Sequence, residues 1–167
     1  MNRLVVVLAG IMLVVLAGCN ALKPRIGVVD VARAINESNV GKKANAELDS
    51  MVKAKQAELK EKADAVEELK KRLEKEPEET GKAIEEELAK ANSEYQRLVS
   101  ASDAEVKKRA TELRSMVLED LKKVLDDIGW REEFLLILTT ENVAYFQKTI
   151  DITDRVVKKY NESTEGK

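Results

Sequence analysis

The chain has 167 residues, 36% of them charged, a net charge of −2, one cysteine and no histidine. One cysteine allows no disulfide within the chain, and without histidine there is no Cys/His zinc site, no His acid–base pair and no Ser-His triad. The seven glycines are scattered rather than gathered into a phosphate loop, and carboxylates in so charged a chain read as solvated faces. No catalytic residue, metal or cofactor is expected, and nucleic acid is not expected as a partner.

The N-terminus carries Arg3, an apolar run from Leu4 to Leu16, then the small residues Ala17 and Gly18. This layout predicts a cleaved secretory signal peptide over residues 1–18. The run is shorter than the roughly 20 residues that span a bilayer, and an uncleaved anchor is the alternative. Leu16-Ala17-Gly18-Cys19 resembles the bacterial lipoprotein box, which implies cleavage before Cys19 and a diacylglyceryl group on its sulfur. Each buried acyl methylene is worth roughly 0.8 kcal/mol, and lasting attachment takes more than one chain. Residues 19–24 then form a lipidated linker. The processed chain has lost Arg3, one of 29 bases, and keeps all 31 acids.

Residues 39–128 read as an arm of two long helices. Leu48, Val52, Lys55, Leu59, Lys62, Val66, Leu69 and Leu73 alternate at spacings of four and three, a seam of period about 3.5 that packs against a partner helix. Pro77 and Gly81 interrupt it and set a turn near 74–81. Ile84, Leu88, Ala91, Tyr95, Leu98, Ser102 and Val106 then resume the seam. Antiparallel partners should have residue numbers that add to a constant. Leu73 with Ile84, Leu69 with Leu88, Val66 with Ala91, Leu59 with Leu98 and Ala44 with Leu113 all give 157. So do the polar pairs Lys62 with Tyr95 and Lys55 with Ser102, which would fix register at some cost in stability. Helix one is expected over about 39–76, and helix two to about Ile128, where Gly129 offers a stop. Around the tip, residues 74–87 hold seven acids and two bases.

Residues 25–38 and 129–161 read as a separate β-rich body, since four of the six aromatics (Trp130, Phe134, Tyr145 and Phe146) fall within seventeen residues of it. RIGVVDV at 25–31, FLLIL at 134–138 and NVAYF at 142–146 are expected strands, with 134–138 central and buried on both faces. Continued helix is the alternative for 134–138. DITDRVVKKY closes the body as an amphipathic helix with Ile152, Val156 and Tyr160 on one face, and 162–167 is expected to be a disordered tail. Three short strands and one helix are too few to hide FLLIL on both sides, and edge strands would stay open. The body is therefore expected to assemble with copies of itself through Ile26, Val28, Phe134, Leu136, Leu138, Val143 and Tyr145.

A strand, a long charged hairpin, further strands and a final helix in this order resemble the Skp/OmpH family of periplasmic chaperones. The residues that carry the likeness are RIGVVDVARAINESNVGKKANAEL at 25–48 and FLLILTTENVAYFQKTIDITDRVVKKY at 134–160. The resemblance implies an α+β, mostly α fold, a long antiparallel coiled-coil hairpin on a small β-rich trimerisation body. It also implies a homotrimer whose arms hold unfolded outer-membrane proteins without ATP. On that reading Leu59, Val66, Leu69, Leu73, Ile84, Leu88, Tyr95 and Leu98 should stay partly open and meet the client. The chain departs from the basic members of the family in its acidic balance, and from the soluble ones in its lipid. Periplasmic anchoring is expected, with Asn20 after the cysteine leaning toward the outer membrane. The competing reading is a structural coiled-coil envelope lipoprotein, a spacer or scaffold, whose seam should be apolar and tightly closed.

Overall fold

The computed structural model describes residues 24–164, apart from the side chains of 78–80. The expected signal peptide, Cys19 and the last three residues of the expected tail lie outside the described residues. Strand β1 (Arg25–Val29) leads directly into a short helix α1 (Val31–Glu37). The long helices α2 (Asn39–Leu73) and α3 (Glu78–Arg131) follow, then strand β2 (Phe134–Thr139) and the closing helix α4 (Thr153–Thr164). The fold is α+β and mostly α: a long hairpin standing on a small base.

Local chemistry accounts for each turn of the chain. The Asp30 side chain accepts from the Arg33 amide and starts α1. Ser38 both ends α1 and caps α2: its hydroxyl donates to the Ile35 carbonyl at 2.8 Å and accepts from the Gly41 amide at 3.0 Å. Ser38 is fully buried, so the junction between these helices is closed to water. At the tip, α2 ends at Leu73, three residues earlier than expected, and Pro77 sits as the cap before α3, where its missing N–H costs nothing. Gly81 lies inside α3 with the Leu73 side chain against it at 3.7 Å from where a Cβ would stand.

Gly129 does not stop α3. The helix runs on through it to Arg131, and the Ile137 side chain approaches the glycine at 3.7 Å from where a Cβ would stand. A Cβ at Gly129 would meet Ile137 at ordinary van der Waals distance, so glycine is accommodated in the helix there rather than required. The reversal falls to Glu133, the non-glycine residue with φ of 54° among the described residues.

The sheet corrects the sequence reading. It has two strands, paired in parallel, with Ile26 opposite Leu136 and Val28 opposite Leu138. Parallel pairing needs a long crossover between the strands, and here the whole hairpin serves as the crossover. The far edge of β1 is taken by Asp151, bridged to Val28, so β1 is flanked on both sides. Strand β2 is therefore an edge rather than central, and it is not buried on both faces: Leu135 and Leu136 are exposed. Residues 142–146 form no strand. A short 3₁₀ turn covers Thr140–Asn142, and Val143 beyond it is extended. Extended backbone becomes a strand only beside a hydrogen-bonded neighbour, and within one chain this stretch has none.

The main core joins the base to the root of the arm. Val29 of β1, Ala34 of α1, Ala44 of α2, a stripe of α3 from Leu113 to Ile128, and Ile152, Val156 and Tyr160 form one buried cluster. Helix α4 packs with the face expected of it and continues to Thr164, into the stretch expected to be disordered. The Tyr160 hydroxyl donates to the Val117 carbonyl at 3.3 Å, and burial pushes its phenol up to about 12.

Candidate functional site

The arm is the candidate site because its apolar surface is only partly used. Two helices can cover one stripe of each other and no more. Helices α2 and α3 pair close to the expected register: Glu47 is ion-paired with Arg109, Lys55 with Glu105 at 2.8 Å, and Leu73 meets Gly81. These bonds latch the hairpin from outside. The hydrogen bond that the Lys55 ammonium donates to Glu105 chiefly raises it above its usual range, as the bond donated to Glu47 does for the Arg109 guanidinium, so both stay charged. Exposed pairs of this kind contribute little net stability, but they fix which residues of the two helices meet.

Coverage varies along the shaft. Val66, Leu69 and Ile84 are buried near the tip, which corrects the expectation that all eight seam residues stay open. Leu59, Leu73, Leu88, Tyr95 and Leu98 are half-buried, as expected. Of the polar seam positions, Lys62 is exposed and lies off the contact, while Lys55 reaches to Glu105 and leaves Ser102 buried. The Ser102 hydroxyl has no hydrogen-bond partner among the described residues. The middle of the shaft is its loosest part.

The residues expected to join copies of the base separate into two groups. Ile26, Leu136 and Tyr145 are exposed, the last at 81%, and Phe134, Leu138 and Val143 are half-buried. Val28 is at 1% and belongs to the interior of a single chain, because the Ile152 amide donates to its carbonyl at 2.8 Å and Asp151 closes over its edge. The outer edge of β2 carries no neighbour among the described residues.

Sequence reasoning missed one feature at the root of the arm. A groove of about 480 Å³ runs between α1, α2 and α3, lined by Val31, Ile35, Leu48, Leu113, Val117 and Leu118, with Arg114 and Glu141 also on its wall. Leu118 and the nearby Met116 are exposed. Both stand off the heptad seam, and an apolar residue off the seam of a charged helix is the signal that could have found the groove.

The family model described as Outer membrane protein (OmpH-like) matches residues 25–160, from the start of β1 to Tyr160 of α4. The chain belongs to this family. A solved structure from Caulobacter crescentus, described as an outer membrane chaperone (OmpH-like), is similar to it with a TM-score of 0.78. The two share 21% sequence identity over 87% of this chain and 89% of that one, a likeness of fold. A comparison with curated proteins gives no match. The fold thus persists where few residues are shared.

Proposed function

We propose that the chain is an ATP-independent holdase of the bacterial envelope that binds unfolded outer-membrane proteins between the arms of a trimer. The observation that carries this is the half-covered seam of the shaft, Leu59, Leu88, Tyr95 and Leu98, on an arm with no core of its own. A holdase works through many weak apolar contacts, with surrounding charge keeping the complex soluble. Partly open leucines set among lysines and glutamates supply both. A spacer would close its seam; this one leaves Leu59, Leu88, Tyr95 and Leu98 half covered. The open edge of β2 and the exposed Ile26 and Leu136 support assembly through the base. Cys19 is the lipid attachment point on this reading, and it holds the chaperone on the periplasmic side of a membrane, the outer one by the leaning of Asn20.

Deleting residues 60–97 tests the mechanism, since it brings Leu59 next to Leu98 for a short turn and spares every member of the main buried cluster. The shortened protein should stay folded and keep the trimer mass in native mass spectrometry. Its suppression of aggregation of a denatured barrel protein should fall at least tenfold, to about the level a 1.4 kcal/mol loss in binding implies or below. Full protection by the shortened trimer would place client binding in the base and end the arm mechanism. A parent protein that is monomeric over a wide concentration range would end the trimer.

A further inference from the structure

Trp130 is the most exposed large apolar side chain among the described residues, at 87%, and Leu135 beside it is at 73%. With Pro24, Arg25 and Phe134 they line one shallow hollow at the end of the base. Pro24 is the first described residue, so the chain that leads back to Cys19 leaves from this patch. Residues 19–23 can extend at most about 18 Å. If Cys19 is acylated, that short leash keeps the patch within about 18 Å of the lipid, close enough to reach a headgroup layer roughly 5–8 Å thick.

We propose that this end of the base, Pro24, Trp130 and Leu135, rests on the bilayer surface to which Cys19 is tethered; the proposal depends on the lipidation reading of Cys19. An indole ring with its N–H suits the headgroup region, apolar on one side and wet on the other. Two of the acids near the tryptophan are neutralised, Asp127 by Arg131 and Glu132 by both Arg25 and Arg155, and Asp126 shares a hollow with Trp130 and Leu135 that Lys122 also lines. Arg25 itself lies 4.7 Å over the Phe134 ring, which keeps a cation at the rim of the apolar surface. Glu133 stands at the same rim and limits the contact to the interface rather than the hydrocarbon. Alternation along β2 sends Leu136 and Leu138 to the opposite face from Leu135, while Phe134 belongs both to the hollow and to the residues expected to join copies of the base, so a second copy is the competing occupant of the patch. The patch alone would bind weakly. The tether supplies the effective concentration that makes a weak contact persistent.

Trp130 is the only tryptophan in the chain, so its fluorescence reports on this patch alone. The processed protein is extracted, its mass measured, and the protein reconstituted into phosphatidylethanolamine–phosphatidylglycerol vesicles with brominated acyl chains. Quenching of Trp130 by bromine together with protection from aqueous acrylamide is the expected result, and Leu135→Asp should lower the bromine quenching several-fold and restore acrylamide quenching. Trp130 open to acrylamide and untouched by bromine would put the patch in water and overturn the proposal. Trp130 quenched by neither would put a second copy over the patch and overturn it as well. The mass reads the tether separately: a chain without the diacylglyceryl group overturns the assignment of Cys19, and quenching with added vesicles then decides the patch on its own.

Discussion

Leu113, Val117, Leu121, Val124 and Ile128 form one stripe of α3 and are each 6% exposed or less. Nearer the tip the same helix presents Leu88, Tyr95 and Leu98 only half covered. Both stretches follow the same apolar spacing. What differs is the number of neighbours: the root is wrapped by α1, α4 and β1 as well as α2, whereas the shaft has α2 alone. A shared heptad pattern therefore yields a rigid anchor at one end and an adaptable apolar surface at the other. The base holds the arm, and the shaft keeps apolar surface that α2 and α3 do not cover, the surface a client would meet on the proposed function.

The sharpest way to break this comparison is to truncate one leucine in each region. Leu121→Ala, at the centre of the root, should cost about 2–5 kcal/mol, the loss of transfer energy plus a cavity that enclosing elements cannot close. Leu88→Ala, on the half-open shaft, should cost about 1 kcal/mol. Urea unfolding of the two variants checks the ratio. Equal losses would mean that the shaft is as tightly built as the root.

Gly41→Ala probes how the root is pinned. A Cβ there would stand 1.9 Å from the Ile35 carbonyl oxygen and 3.0 Å from the Ser38 hydroxyl that caps α2. The first of these is backbone and cannot swing aside, so α1 and α2 must separate at the buried Ser38 turn. A loss of roughly 3 kcal/mol is expected, read as a lower melting temperature with little change in total helicity. The same substitution at Gly81, where the nearest atom is 3.7 Å away, should be neutral or better.

How much of this was legible in the sequence follows the same division. Spacing alone paired Ala44 with Leu113, both now in the buried cluster, and set Ile152, Val156 and Tyr160 on the packed face of α4. Helices announce themselves locally, by periodicity and caps. The depth of cover was not legible, because spacing says which residues face a partner and not how deeply: within the same two-helix shaft Val66, Leu69 and Ile84 closed while Leu59 and Leu88 did not. The strand expected at 142–146 failed because β-structure needs a distant edge, and Asp151 took the place beside β1. Gly129 offers a stop by residue type, but no glycine among the described residues takes a positive φ, and the reversal falls to Glu133. Helix α1 went unread as a helix, although Asp30 before it is a cap residue, because seven residues give periodicity little room.

Acid should separate base from arm next. Burial alone would raise the Asp151 carboxyl, but the Thr153 hydroxyl and amide, both donating to it, and the Arg33 and Lys148 charges outweigh this and hold it below the usual carboxylate range. A carboxyl lowered by folding contributes stability at neutral pH, which is lost as pH falls through its folded value. Asp151→Asn keeps the acceptor oxygen for Thr153 and removes the charge, so its melting temperature should fall less steeply toward low pH than that of the parent. Identical acid limbs for parent and Asp151→Asn would remove Asp151 from the account.

Ser102→Ala is the smallest change and the one with the opposite sign. Ser102 is 4% exposed in the middle of the shaft, and its hydroxyl finds no partner among the described residues. An unpaired buried hydroxyl costs its desolvation with nothing returned, while its replacement by a methyl group of similar volume removes that cost. The variant should therefore be more stable than the parent by up to about 1 kcal/mol, seen as slower amide exchange in α2 and α3 around residues 52–59 and 98–106. The base, which shares no contact with this position, should exchange as before. If the loose middle of the shaft serves to admit client side chains, tightening it should also slow capture of an unfolded barrel protein. A stabilised shaft that captures at the parent rate would confine the role of Ser102 to setting the register of the hairpin, and a destabilised one would mean that the hydroxyl has a partner after all.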